Sequence, residues 1–387
     1  MPLQTTTSTW YSEEHRLYTE SVRKFFAGEL APNIERWIDA GIVDRDFWVK
    51  AGEAGILGAA IEEEYGGAGA GISFDAITIY EQARCSDSGW GFGIQSIVIH
   101  YIRAYGTEDQ KARWLPKLAT GEMVAALAMT EPGAGSDVQS VRTSAAKNAS
   151  EYFINGSKTF ITNGQTANLI CLAAKTDKDA GASGVSLIMV ETDSLEGFRR
   201  GKSLKKLGLK AQDTTELFFE DVRVPKNNLL GIQEGQGFYQ LMNQLPWERL
   251  LIGITALGAI DFALEETTRY VRERKVFGTR VMDFQNTRFK LAEMKTKAEV
   301  TRSFLNDGIE KLDAGTLDAS TASMAKWWGS QTQCEIMDEC VQLHGGYGYM
   351  MECPITRLYA DARVQKIYGG TNAVSYTHLT LPTNREV

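Results

Sequence analysis

The chain has 387 residues, 43% of them hydrophobic, 10% aromatic and 23% charged. That ordinary globular composition excludes wholesale disorder and a disulfide scaffold. Lys plus Arg is 41 against 49 for Asp plus Glu, a formal net charge of −8, which disfavours a nucleic-acid partner. Cys85, Cys171, Cys334, Cys340 and Cys353 are dispersed with no CxxC pair, so they read as reduced thiols, with neither disulfides nor a zinc site. The four histidines share no helical ligand spacing, and no metal is expected.

At roughly 100–200 residues per domain, two or three structural units are expected. The first eleven residues hold no basic residue and no apolar run, so no secretory signal is expected. The longest apolar stretch, Leu250 to Leu264, contains Asp261 and falls short of the ~20 residues that span a bilayer. The expectation is a soluble protein of the bacterial cytoplasm or, in a eukaryote, of the mitochondrial matrix after processing.

Residues 1–126 are predicted to be helical. Tyr18, Val22, Phe25 and Phe26 fall at helical spacing, and two more apolar-periodic stretches follow near Phe47–Leu57 and Phe74–Cys85. They are separated by the loop Gly66-Gly67-Ala68-Gly69-Ala70-Gly71, and an aromatic, apolar segment after Ser88 reads as a buried helix. Residues 127–235 are predicted to form a small antiparallel β domain. Tyr152 to Lys175 is rich in β-branched and aromatic residues and punctuated by Asn155-Gly156 and Asn163-Gly164, both read as hairpin turns. Val185–Val190 and Glu216–Val224 read as further strands. From Phe238 the helical period returns, and residues 236–373 are predicted to be a C-terminal four-helix bundle with short turns such as Phe277-Gly278. The fold class is therefore α+β.

Met129-Thr130-Glu131-Pro132-Gly133-Ala134-Gly135-Ser136-Asp137 is the sharpest local motif. Its Pro and glycines make a tight turn whose N–H groups can converge on an oxygen. The alternative is a plain surface turn. A Rossmann fingerprint fits poorly, because the third Gly is missing and Val138–Ala145 looks extended. Phe160-Ile161-Thr162 offers an aromatic face beside a hydroxyl, suited to a flat heteroaromatic ring, although an ordinary alternating strand has the same pattern. Arg274-Lys275-Val276-Phe277-Gly278, followed by Gln285, puts guanidinium and aromatic at a helix end, able to hold a diphosphate or to serve the helix dipole. Gln342-Leu343-His344-Gly345-Gly346-Tyr347-Gly348 exposes backbone where the bundle breaks, allowing close approach by a ligand, although a plain interhelical loop has the same pattern. Arg199 to Lys210 is half basic, a solvated loop or a contact for a phosphorylated ligand.

Glu248 follows Pro246 and Trp247 and leads into Leu250-Leu251-Ile252-Gly253-Ile254. A carboxylate in such surroundings loses hydration and its pKa rises, as a general base near neutrality requires. The competing reading is an ion pair with Arg249 or a bundle neighbour.

Together these residues resemble the acyl-CoA dehydrogenase family, from Tyr11-Ser12-Glu13-Glu14-His15 to Gly370-Thr371-Asn372. Met129–Asp137 and Gln342–Tyr349 match two long signatures, and Glu62 stands where the family usually has Pro. The resemblance implies FAD between the β domain and the bundle. Met129, Thr130, Gly135 and Ser136 would line flavin or thioester. Phe160 and Thr162 would meet the isoalloxazine, with Thr371 and Asn372 at a flavin-contacting turn. Arg274, Phe277, Gln285, Gln342, Gly345 and Gly346 would hold the adenine dinucleotide portion, partly across a subunit interface of a homotetramer. Ser136, Arg249 and Gly370 would touch the acyl-CoA substrate.

Many members carry Glu directly after Tyr in a Tyr-x-Gly-Thr turn, where this chain has Gly369. The isovaleryl and long-chain types instead take the base from a motif like Pro246-Trp247-Glu248-Arg249-Leu250. The resemblance thus implies Glu248 as catalytic base and electron-transferring flavoprotein as electron acceptor. An oxygen-reactive acyl-CoA oxidase and a non-catalytic acyl-CoA or FAD-binding scaffold are the competing functions. Residues 374–387 depart from the family: Val374-Ser375-Tyr376-Thr377-His378-Leu379 resembles a translated sequencing-library adaptor, and this tail is expected to be artefactual.

Overall fold

Apolar residues recurring every three to four positions make six helices of the first third, α1 (Glu13–Phe25), α2 (Ile34–Ala40), α3 (Arg45–Glu53), α4 (Ile72–Arg84), α5 (Phe92–Tyr105) and α6 (Glu108–Ala119). The computed structural model describes residues 2–5, 8–87 and 89–375; the expected foreign tail lies outside them from residue 376 onward. The aromatic run foreseen as buried is the centre of this part. Trp90 stacks on Phe92 at 5.0 Å between ring centroids and meets Phe47 and Trp48 edge-on at 5.0 and 5.5 Å.

The middle of the chain supplies β1 (Ala125–Ala128), β2 (Ser144–Lys147), β3 (Glu151–Thr162), β4 (Leu169–Lys175), β5 (Val185–Glu191), β6 (Phe198–Ser203) and β7 (Thr214–Pro225). They form one sheet in the order β1-β4-β2-β3-β7-β6, with β5 also on β4. The expected all-antiparallel domain is corrected here. β4 pairs in parallel with β1 and with β2, so the sheet is mixed; the other pairings are antiparallel. Neither Asn-Gly makes a hairpin. Asn155-Gly156 lies inside β3 at a register shift. Gly156 sits at φ +151°, where a Cβ would come within 2.5 Å of Thr143 Oγ1, so the glycine admits a bulge. Asn163-Gly164 leads from β3 into the turn before β4, and those strands do not pair with each other. Val138–Ser140 is a 3₁₀ turn and not extended.

The last third consists of α7 (Gly237–Glu273), the hairpin β8 (Lys275–Val276) and β9 (Thr279–Arg280), α8 (Gln285–Asp313), α9 (Ala319–His344) and α10 (Pro354–Gln365). Phe277 and Gly278 form the hairpin tip, both with positive φ, as a two-residue turn requires. α7 and α9 approach so closely that a Cβ on Gly329 would lie 3.0 Å from Gly253 Cα. Backbone cannot yield as a side-chain tip can, so Gly329→Val is expected to cost about 1–3 kcal/mol, read as a lower thermal midpoint. Arg302 on α8 grips Asp261 on α7 at 2.7 and 2.8 Å, and Tyr80 on α4 donates to the same carboxylate. This buried triad ties the N-terminal helices to the bundle. Among the described residues no helix is long and apolar enough to cross a membrane.

Candidate active site

Glu248 lies in the first third of α7, two residues after Pro246, whose missing N–H removes one helical bond. Its side chain is buried, and Tyr101 Oη donates to Oε1 at 2.7 Å. Burial raises its pKa to about 7, while the Tyr101 bond and the Arg249 charge pull it down. The alternative ion pair with Arg249 is not formed. Consecutive helical residues point apart, and Arg249 donates to Ser323 Oγ at 2.9 Å and to Gly369 O at 3.5 Å.

That carbonyl begins the turn 369–372. Gly369 and Gly370 have φ of +62° and +88°, a left-handed pair that favours glycine. Lys326 on α9 donates to Gly370 O at 2.6 Å and to Asn372 Oδ1 at 2.8 Å, and Ser330 donates to the same Asn372 oxygen at 3.1 Å. Burial, reinforced by the Arg249 charge, depresses Lys326 to about 8. Thr371 Oγ1 accepts from Val374 N. A Cβ at position 369 would lie 2.4 Å from Ile252 Cδ1. Ile252 is one helical turn beyond Glu248, so Glu248 and a side chain at 369 would open onto one stripe of α7.

The Met129–Asp137 motif leaves β1 and crosses the end of β3. Thr159 N donates to Thr130 O at 2.9 Å, and the fully buried Lys158 donates to Met129 O and to Glu131 Oε1 at 2.9 and 2.8 Å. Glu131 also accepts from Arg142 N and Thr143 N. These bonds bring Met129 and Thr130 beside Phe160 and Thr162. Phe160 is 67% exposed at φ +60°, and Thr162 Oγ1 reaches Gln212 at 3.5 Å. Gly135 and Ser136 lie on the exposed turn, where a Cβ at Gly133 or Gly135 would touch nothing. Burial lowers Lys158 to about 8 against the pull of Glu131. Lys158→Met is expected to cost about 1–3 kcal/mol by stripping the buried carboxylate of its cation. Faster proteolysis within 129–143 would report the loosened motif.

A second group gathers elsewhere. Tyr270 near the end of α7 stacks on His344 at the end of α9, 4.3 Å between centroids, and donates to His344 O at 3.2 Å. That contact draws Arg274 and Phe277 towards Gln342, Gly345 and Gly346. All five are exposed, Phe277 to 97%, as is Gln285 at the start of α8. From Glu248 the chain runs along α7 to Glu273 and its C-cap Arg274, about 39 Å at 1.5 Å per residue. Glu248 and the Arg274 corner therefore lie well apart along α7. The basic stretch divides as well: Arg200 donates to Gly164 O, Ala167 O and Thr192 Oγ1, and Lys206 to Gln212 O, so these two cations hold loops.

The residues around Phe160 suit FAD. An exposed aromatic, flanking hydroxyls and open glycine backbone offer a face and donors to a flat heteroaromatic ring. Asn372 Nδ2 and Trp247 Nε1 are buried with no hydrogen-bond partner among the described residues. Sequence reasoning missed Tyr101, Lys326, Ser323 and the Lys158–Glu131 pair. A signal existed for Lys326, a lysine among Ala, Met and Trp in Ser323-Met324-Ala325-Lys326-Trp327-Trp328-Gly329. Tyr101 in an apolar helix carried none.

The acyl-CoA dehydrogenase N-terminal, middle and C-terminal domain models match residues 12–122, 126–222 and 235–380. The long-chain specific acyl-CoA dehydrogenase of rat mitochondria is 50% identical over 94% of this chain and 85% of its own length. A crystal structure of acyl-CoA dehydrogenase from Geobacillus kaustophilus superposes with a TM-score of 0.95 at 45% identity, covering 98% of this chain and all of the other. A glutaryl-CoA dehydrogenase from Mycobacterium smegmatis, solved with FADH2, gives 0.90 at 29% identity over 99% and 97% of the two chains. The chain belongs to the acyl-CoA dehydrogenase family of FAD-dependent oxidoreductases.

Proposed function

We propose that this chain dehydrogenates a long-chain acyl-CoA between its α and β carbons, giving the trans-2-enoyl-CoA, with Glu248 as the base. The observation that carries this reading is Glu248 itself: buried, hydrogen-bonded to Tyr101, poised near neutrality and open onto the same stripe of α7 as position 369. FAD, when bound, supplies the acceptor for the hydride leaving the β-carbon. Glu248 takes the α-proton. The proton is weakly acidic, so the thioester oxygen needs donors as enolate charge develops, each worth about 3–4 kcal/mol. Gly370 and Ser136 are the proposed thioester contacts, and Arg249 and Lys326 act by fixing the Gly370 turn.

Met129, Thr130, Gly135, Phe160, Thr162, Thr371 and Asn372 are the proposed flavin-side residues. Arg274, Phe277, Gln285, Gln342, Gly345 and Gly346 would serve the adenine dinucleotide end, partly across a subunit interface. A homotetramer is the proposed assembly, and electron-transferring flavoprotein the proposed acceptor of the two electrons. Bacterial cytoplasm or mitochondrial matrix is the proposed compartment.

The test is an anaerobic titration of the FAD-loaded protein with palmitoyl-CoA, following visible absorbance. Bleaching with formation of the enoyl product is the expected result. Bound acyl-CoA without bleaching, while the FAD remains photoreducible, would overturn the reading.

A further inference from the structure

Helix α5 grips two consecutive residues of α7. His100 meets Trp247 edge-on, 5.8 Å between ring centroids, and the next residue, Tyr101, donates to Glu248 Oε1 at 2.7 Å. His100 is fixed on both sides. Arg103 can only donate, so His100 Nδ1 accepts from it at 3.3 Å and Nε2 donates to Asp75 Oδ2 at 3.2 Å. Asp75 also accepts from Ser96 at 2.5 Å, and Arg103 pairs with Glu62 at 2.8 Å. These bonds set how α5 is rotated, and so where the Tyr101 hydroxyl lies. Around Glu248 the titratable neighbours are Tyr101 on α5, Arg249 on α7 and Cys171 on β4, whose thiol is pushed up to about 12 by burial and then by the Glu248 charge.

We propose that Tyr101 is a positioning residue for the base: its hydroxyl commits Oε1 of Glu248 and leaves Oε2 to receive the substrate's α-proton. The inference rests on Glu248 being that base. In the step the α C–H bond breaks and an O–H bond forms at Oε2. The electron pair of the broken bond enters the new α,β double bond as hydride departs from the β-carbon to FAD. Tyr101 keeps its own proton throughout, because burial and the Glu248 charge hold its pKa well above the ordinary value. It therefore donates to Oε1 whether Glu248 is ionised or protonated. Donation is stronger to the ionised form, so the bond also keeps more of the base active at neutral pH.

Tyr101→Phe removes the donor and keeps the ring. The acid limb of kcat/KM is expected to move up by about one pH unit, and kcat to fall with KM little changed. The same shift should appear in the infrared titration of the Glu248 carboxylic-acid carbonyl, a band identified by its loss in Glu248→Gln. In the Glu248→Gln background, adding Tyr101→Phe should change residual turnover less than twofold. An unmoved limb and an unmoved carbonyl titration, or an equal loss in both backgrounds, would overturn the inference for Tyr101 alone. Full turnover in Glu248→Gln would instead remove the base assignment on which it rests.

Discussion

Glu248→Gln is expected to lower turnover with acyl-CoA by about three orders of magnitude while making the protein more stable. The amide keeps the shape and can still accept from Tyr101, but it takes up no proton. The stability gain follows from the raised pKa. Burial raises the folded carboxyl from an ordinary 4.5 to about 7, so between these values the folded state holds a proton that the unfolded chain releases. Stability associated with this group is complete below pH 4.5, falls as pH rises, and is lost above pH 7. That gap corresponds to about 3 kcal/mol. Gln escapes that loss, so the variant should melt above the wild type at pH 8, with the gap closing towards pH 5. Paired melting curves at the two pH values and a steady-state assay are the measurements. Near-normal turnover would mean that another group is the base. Equal melting points at pH 8 would mean that the carboxylate is solvated and not buried.

Arg302→Met is expected to be the most destabilising of the substitutions considered, at about 3–5 kcal/mol. Asp261 is fully buried, and its two oxygens accept from Arg302 at 2.8 and 2.7 Å. Tyr80 donates to Oδ2, and Arg302 also reaches Tyr80 Oη at 3.4 Å and the carbonyl of Pro2. Removing the guanidinium leaves a buried carboxylate with a phenol in place of a cation. Most of the loss is thus the cost of a stranded charge, not the net worth of the pair. Pairing Arg302→Met with Asp261→Leu removes both charges and should restore much of the stability. Denaturant melts of the single and double variants test this, and a double variant no better than the single would show that packing, not charge, dominates.

Periodicity made the helices legible. Tyr18, Val22 and Phe25 lie on α1 and Phe26 opens the π-helical turn Phe26–Leu30 that continues it, and the return of the helical period at Phe238 marks α7 within one residue. The β domain was less legible because a strand's residue pattern carries no direction: the fully buried Leu169–Lys175 reads alike whether β1 runs with it or against it. Asn155-Gly156 misled for a related reason. Its flanks do not pair with each other but belong to a single strand, and only the close approach of Thr143 reveals why Gly is there. In the site, Glu248 announced itself through Pro246, Trp247 and the apolar run. Tyr101 lies 147 residues from Glu248, and Lys326 lies 44 from Gly370 and 46 from Asn372. Pairings at such range leave no local mark, and each partner alone is an ordinary core residue.

On the proposed assembly, the length of α7 would give the protein a dependence on its own concentration. With Glu248 in the first third of the helix and the Arg274–Phe277 corner about 39 Å further along, an isolated subunit of that assembly would carry only part of each cofactor site. On the proposed assembly, each cofactor is shared between copies, and its retention follows mass action in protein as well as in FAD. Dilution would then act as an inhibitor, and excess FAD would restore oligomer and activity together.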